Sequence, residues 1–162
     1  MKPEGMTFVW SQTAQYGMKA TAYVGGKNNE TESWLVSAPL DLTSNTTVSL
    51  DFKHARKYGD NSHLSVQISK DGTNWTKLEF ANWPTGQDWK FIAAGEVDIT
   101  SYISTTTQIA FVYTSTSSAG ATWEVDDVLI KGNGTRIVEP EKPVEHISLA
   151  DFVAKADPTT RY

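Results

Sequence analysis

Three acids crowd one short segment, TWEVDDVLIKG at residues 122–132: Glu124, Asp126 and Asp127. Carboxylates this close together can hold a hard cation such as Ca²⁺. They can serve as the nucleophile and acid of glycoside hydrolysis. They can also accept backbone N–H bonds where a sheet is interrupted. The segment otherwise reads as a β-strand, since Trp123, Val125, Val128, Leu129 and Ile130 are strand formers bounded by Gly120 and Gly132. Strict alternation works in neither register: with Trp123, Val125 and Leu129 facing a core, Asp127 joins them, and with Val128 and Ile130 inward, Asp126 and Glu124 do. A β-bulge at the acid pair resolves the conflict, turning Trp123 and Val125, then Val128 and Ile130, inward and leaving the carboxylates at the kink.

The hydrolytic reading is disfavoured. Jelly-roll glycosidases of the laminarinase type carry E-hydrophobic-D-hydrophobic-x-E on one strand; Glu124, Val125 and Asp126 match the first half, but Asp127 and Val128 follow and the final Glu is missing. A catalytic role for Glu124 would need a partner carboxylate about 5 to 9 Å away. The cation reading makes Asp126 and Asp127 candidate Ca²⁺ ligands, Asp126 ahead of Asp127, with Glu4, Asn28, Asn29 or Glu32 as co-ligands that spacing does not select, because no D-x-D-x-D-G loop is present. His54 and His63 lie near Asp51, Arg56, Lys57 and Asp60. His54 continues the inward stripe of Phe52, so it is expected as a satisfied histidine at a sheet edge.

Aromatic residues offer a binding chemistry. Trp83 and Trp89 flank PTGQD, and Tyr58 stands in KYGDN. In loops, these three would form a platform on which sugar rings stack, with nearby Asp, Asn and Lys giving hydrogen bonds. The competing role for a Trp in a small sandwich is core packing, expected for Trp34, Trp75 and Trp123. SKDGTNW at residues 69–75 reads as a hairpin turned by Asp71 and Gly72 with Trp75 packed at its foot.

The elements that must position these residues are short strands. TVSLDF, HLSVQIS and QIAFVYT alternate cleanly; ATAYVG, ESWLVS, TKLEF and WKFIAAG do so less regularly, with turn signals between. About eight such strands without a helical period imply two antiparallel sheets packed face to face. The expected fold is therefore all-β, a two-sheet jelly-roll sandwich over residues 1–136. After it, IVEPEKPVEH reads as a linker at residues 137–146, and ISLADFVAKADPTTRY as a helix at residues 147–162 that begins a second domain, with Ser148 as N-cap.

Composition bounds the function. The chain has 162 residues, 39% hydrophobic and 20% charged, with a net charge of −5 and no block of like charges, so the sandwich lacks a nucleic-acid footprint. The absence of cysteine excludes a disulfide scaffold, a Cys-based zinc site and a thiol nucleophile. No stretch of the chain is long and apolar enough for a membrane span.

Three segments together resemble a known family. ESWLVSAPLDLT, VSLDFKHARKYGDNSHLSVQISKDGTNWTKL and TWEVDDVLIKG are similar, in that order, to the conserved core of the cleaved-adhesin or choice-of-anchor jelly rolls of Bacteroidetes surface proteins, across residues 8–132. The resemblance implies a noncatalytic, carbohydrate-binding-module-like sandwich in an exported multidomain protein at the extracellular or outer-membrane surface. It implies a structural Ca²⁺ held through Asp126 or Asp127, and an OB-fold domain begun by residues 147–162. The expected function is a monomeric adhesion or binding module for a glycan or glycoprotein, read by Trp83, Trp89 and Tyr58. The alternatives are a spacer that positions the next domain and a glycoside hydrolase.

Overall fold

A computed structural model describes residues 5, 8–86 and 88–134 of the chain. The expected linker and C-terminal helix lie outside the described residues.

Twelve strands follow one another among the described residues: β1 (Trp10–Thr13), β2 (Gly17–Thr21), β3 (Tyr23–Val24), β4 (Lys27–Asn28), β5 (Thr31–Val36), β6 (Val48–Lys57), β7 (Leu64–Ser69), β8 (Thr76–Leu78), β9 (Ile92–Ala93), β10 (Val97–Asp98), β11 (Gln108–Ser115) and β12 (Thr122–Gly132). Two antiparallel sheets form the sandwich. One runs β1-β2-β12-β6-β10, with β9 also paired to β6; the other runs β5-β11-β7-β8. The chain crosses between them from β5 to β6, β6 to β7, β8 to β9, β10 to β11 and β11 to β12, so the fold is the expected all-β jelly-roll sandwich. A small hairpin, β3-β4, turns on Gly25 and Gly26, whose positive φ values of 62° and 78° suit glycine at a two-residue turn.

Alternation explains which side chains meet. On β6, Val48, Leu50, Phe52, His54 and Arg56 all point inward and are buried. Phe52 sits at the centre, edge-on to Phe80 and Phe111 with ring centroids 5.0 Å away in each case. Burying a side chain of this size contributes roughly 1.5–3 kcal/mol. Trp123 is fully buried, its ring 5.8 Å from Phe111 and 5.6 Å from Trp10. The Tyr113 hydroxyl closes one end of the core by donating to the Ala121 carbonyl at 2.6 Å and accepting from the Ala22 N–H at 3.2 Å.

The segment that opened the sequence reading is bulged at the acid pair. Asp126 lies opposite Lys53 and Leu129 opposite Asp51, so Asp127 and Val128 together face Phe52. Asp127 takes the left-handed conformation, φ 49°, that the extra residue requires. Trp123 and Val125 are inward before the bulge, and Ile130, opposite Leu50, packs on the core after it. Val128 corrects the expectation: it is 48% exposed, because alternation resumes at Leu129 and Ile130, not at Val128.

Two further expectations are corrected. His54 is fully buried in the middle of the core, flanked by β12 and β9, and not at an edge. Trp34 and Trp75 are half-buried outside the main core, edge-to-face at 5.4 Å, because Leu35 takes the inward position on β5 and leaves Trp34 on the outer face. The 69–75 turn behaves as expected: the Asp71 carboxylate accepts from the N–H groups of Thr73 and Asn74 at 2.8 Å and from the Ser69 hydroxyl at 2.9 Å. These bonds hold its carboxyl well below the usual range.

Candidate functional site

Arg56 ends the inward stripe of β6 and is 6% exposed, so its guanidinium must find partners inside the protein. It finds backbone carbonyls. Nη1 donates to the carbonyls of Tyr58, at 3.1 Å, and Gly59, and Nη2 donates to that of Pro84 at 3.1 Å. Asn61 donates to the same Pro84 oxygen at 3.0 Å. One buried cation thereby ties the turn after β6 to the loop before β9.

Each of these two segments carries an exposed or half-exposed aromatic residue in a strained backbone. Tyr58 and Trp89 both have φ 60°, the left-handed region that bulky residues avoid. Each costs about 1–2 kcal/mol, and strain of this kind persists where surrounding contacts enforce it. Gly59 follows Tyr58 at φ 52°; a Cβ there would stand 2.8 Å from the Gly120 carbonyl oxygen, so glycine lets this turn close on the loop before β12. The Tyr58 and Trp89 rings meet nearly perpendicular, centroids 6.4 Å apart, and the Lys57 ammonium braces both faces at 5.6 and 5.8 Å.

These rings form one wall of an open cavity of about 1120 Å³ on the outer face of the six-stranded sheet. Its floor is the outward row of β2 and β12: Lys19 and Thr21 beside Glu124 and Thr122, paired in register. Tyr16, stacked on Phe91 at 6.4 Å, stands in the turn that rims the cavity on another side, and Tyr23 and Asn28 of the small hairpin complete it. The volume slightly exceeds the ~300–1,000 Å³ usual for small-molecule pockets.

No protein-family model matches the chain, and no curated protein sequence does. Solved structures are similar in fold. TmCBM61, solved in complex with β-1,4-galactotriose, matches with a TM-score of 0.45 at 14% identity, over 75% of this chain and 74% of that one. The C-terminal domain of EclA, a sugar-binding protein, matches with a TM-score of 0.38 at 18% identity, over 81% of this chain and 89% of that one.

Of the three aromatics singled out in the sequence, the structure brings Tyr58 and Trp89 together and leaves Trp83 elsewhere. Trp83 packs against the core, its ring 5.2 Å from His54 and 6.2 Å from Trp123, and it does not line the cavity. Between the two tryptophans Pro84 is buried, with Trp83 packed on the core on one side and Trp89 at the cavity wall on the other.

Asp126 and Asp127 are separated in role. Asp127 pairs with Lys53 at 2.8 Å on the surface, while Asp126 Oδ1 accepts the N–H of Asp127 at 2.8 Å. Gly17 packs over this point: a Cβ on it would lie 2.4 Å from the Val125 carbonyl oxygen and 3.0 Å from the Asp126 carboxyl. Among the described residues no group of three His, Cys, Asp or Glu gathers as metal ligands. Of the co-ligand candidates, Asn29 donates to the carbonyls of Ala22 and Lys27, Glu32 accepts from the Trp34 indole at 2.7 Å, and Glu4 lies outside the described residues.

Glu124 is the third acid and the residue whose role in the cavity the sequence left unread. Burial pushes its carboxyl above its ordinary range, opposed by the charge of Lys19. It is the sole carboxylate among the described residues lining the cavity.

Proposed function

We propose that this chain is a noncatalytic binding module for a glycan, carried on the outer face of the six-stranded sheet. The observation that supports this most is the Tyr58 and Trp89 pair, both forced into left-handed backbone so that their rings wall an open cavity. Pyranose rings present apolar C–H faces that lie on aromatic walls and hydroxyl edges that need polar partners, which Lys19, Asn28 and Glu124 offer at the floor and rim. An open cavity of this size fits several sugar units. A hydrolase needs two carboxylates about 5 to 9.5 Å apart across the scissile bond, and Glu124 has no such companion among the cavity residues described.

The setting we propose is an exported, surface-exposed protein in which this module serves adhesion, a reading supported by the three segments that resemble surface-protein jelly rolls. A structural Ca²⁺ near Asp126 belongs to the same resemblance; a melting temperature raised by millimolar Ca²⁺ and lowered by a chelator is its test. The glycan reading is tested by a glycan array on the full chain. Binding to a defined glycan class supports it, and an array without hits contradicts it.

A further inference from the structure

Glu124 differs from every other polar group of the cavity. Its side chain is 5% exposed yet contributes to the cavity floor. No described residue donates a hydrogen bond to its carboxyl: its neighbours are the methyl of Ala55 on one side and Lys19 on the other, directly across the strand, and the Lys19 ammonium acts on it as a charge without closing an ion pair. A carboxyl that reaches water only through the cavity and takes no hydrogen bond from the protein is poorly satisfied, and removing Glu124 would relieve the folded protein of that burden. Such a group is explained when a ligand brings the missing donors.

The surroundings constrain what that ligand is. It must lay an apolar face against the Tyr58 and Trp89 wall and turn O–H groups toward the floor. It must also avoid adding negative charge where Glu124 already places one in a poorly solvated position with Lys19 as its single facing cation. We infer that Glu124 is the specificity-determining residue of this cavity, accepting hydroxyl hydrogen bonds from a neutral glycan and discriminating against acidic ones. The inference rests on the glycan reading and adds to it a ligand class and the residue that selects it.

The experiment is isothermal titration of the full chain with neutral gluco-, galacto-, manno- and xylo-oligosaccharides and, in parallel, with oligogalacturonates and sialylated glycans. Wild type, Glu124→Gln and Glu124→Ala are compared, with thermal melts to establish that each variant is folded. The expected result is a neutral ligand bound by wild type with its acidic counterparts weaker by about ten-fold or more. Glu124→Gln should lose about ten- to a hundred-fold in affinity for the neutral ligand, because a charge-assisted acceptor is lost. The gap between neutral and acidic ligands should narrow in the same variant, a change that a merely structural role would not cause. Unchanged affinity and selectivity in a folded Glu124→Gln variant, or a wild-type preference for the acidic series, would overturn the inference while leaving the glycan reading intact. Binding by wild type to none of the series overturns both.

Discussion

The Arg56 guanidinium donates to the Tyr58 carbonyl at 3.1 Å, two residues along its own chain, and its other amino group reaches Pro84 in a separate loop. The same side chain that holds the Tyr58 turn in its left-handed form therefore also anchors the loop that delivers Trp89. Replacing it removes a donor from the carbonyls of Tyr58, Gly59 and Pro84, of which Pro84 keeps Asn61. Arg56→Met is expected to cost about 2–4 kcal/mol by urea denaturation. Arg56→Lys should recover part of that loss, since an ammonium cannot reach both segments with the spread of a guanidinium. Equal stability of wild type and Arg56→Met would show that the clasp does not hold the two loops.

Tyr58 is 58% exposed at φ 60°, so its ring contributes little burial while its backbone is strained. Tyr58→Gly should raise stability by about 1 kcal/mol. The same variant should weaken glycan binding, a trade of stability for function. Trp83→Ala has the opposite profile: loss of packing against His54 and Trp123 should cost about 3–5 kcal/mol. Melting curves of the two variants check the contrast, and a Tyr58→Gly variant less stable than wild type would refute the strain assigned to this turn.

His54 gives the sandwich a pH dependence with a definite sign. Burial lowers its pKa from 6.5 to about 4, against the backbone carbonyl of Asn82 that favours the charged ring. Below pH 6.5 the unfolded chain takes up a proton that the folded one refuses, so stability falls as pH drops from 6.5 toward 4 and levels off below that. At about 1.4 kcal/mol per pH unit the loss amounts to roughly 3 kcal/mol. His54→Phe should remove this component, and the difference between the two proteins' stability at pH 7 and pH 4.5 measures it. Parallel pH profiles would contradict the assignment.

At the bulge, Asp127 carries φ 49° and an exposed ion pair with Lys53. An exposed pair contributes about 0–1 kcal/mol, comparable to the relief glycine gains in this conformation. Asp127→Gly is therefore expected to leave the melting temperature nearly unchanged, whereas Asp127→Val, with a β-branched residue forced left-handed, should lower stability by about 1–3 kcal/mol. Equal melting temperatures for the two variants would argue against the bulge geometry.

Much of this architecture was legible in the chain because alternation is local. The stripe of Val48, Leu50 and Phe52 defined β6, and the failure of alternation at Asp126 and Asp127 marked the bulge. The direction of Val128 was not legible, since a bulge tells where pairing shifts but not where alternation restarts. Trp83 and Trp89 were read as flanking one loop with Tyr58 beside them, because five residues of spacing do not show that Trp83 packs on the core while Trp89 meets Tyr58. Arg56 carried a usable signal, continuing the inward stripe two residues beyond His54. It was passed over because a charged residue is rarely placed in a core. Glu124 was weighed as a nucleophile, whereas its meaning depends on Lys19, Tyr58 and Trp89, which are distant in sequence.

The measurement that bears most directly on the central claim is titration of a neutral oligosaccharide into wild type, Trp89→Ala and Trp83→Phe. Binding at the outer-face cavity predicts that Trp89→Ala loses at least about ten-fold in affinity while staying folded, and that Trp83→Phe binds like wild type. Full affinity in Trp89→Ala, or a loss confined to Trp83→Phe, would contradict the placement of the ligand against Tyr58 and Trp89.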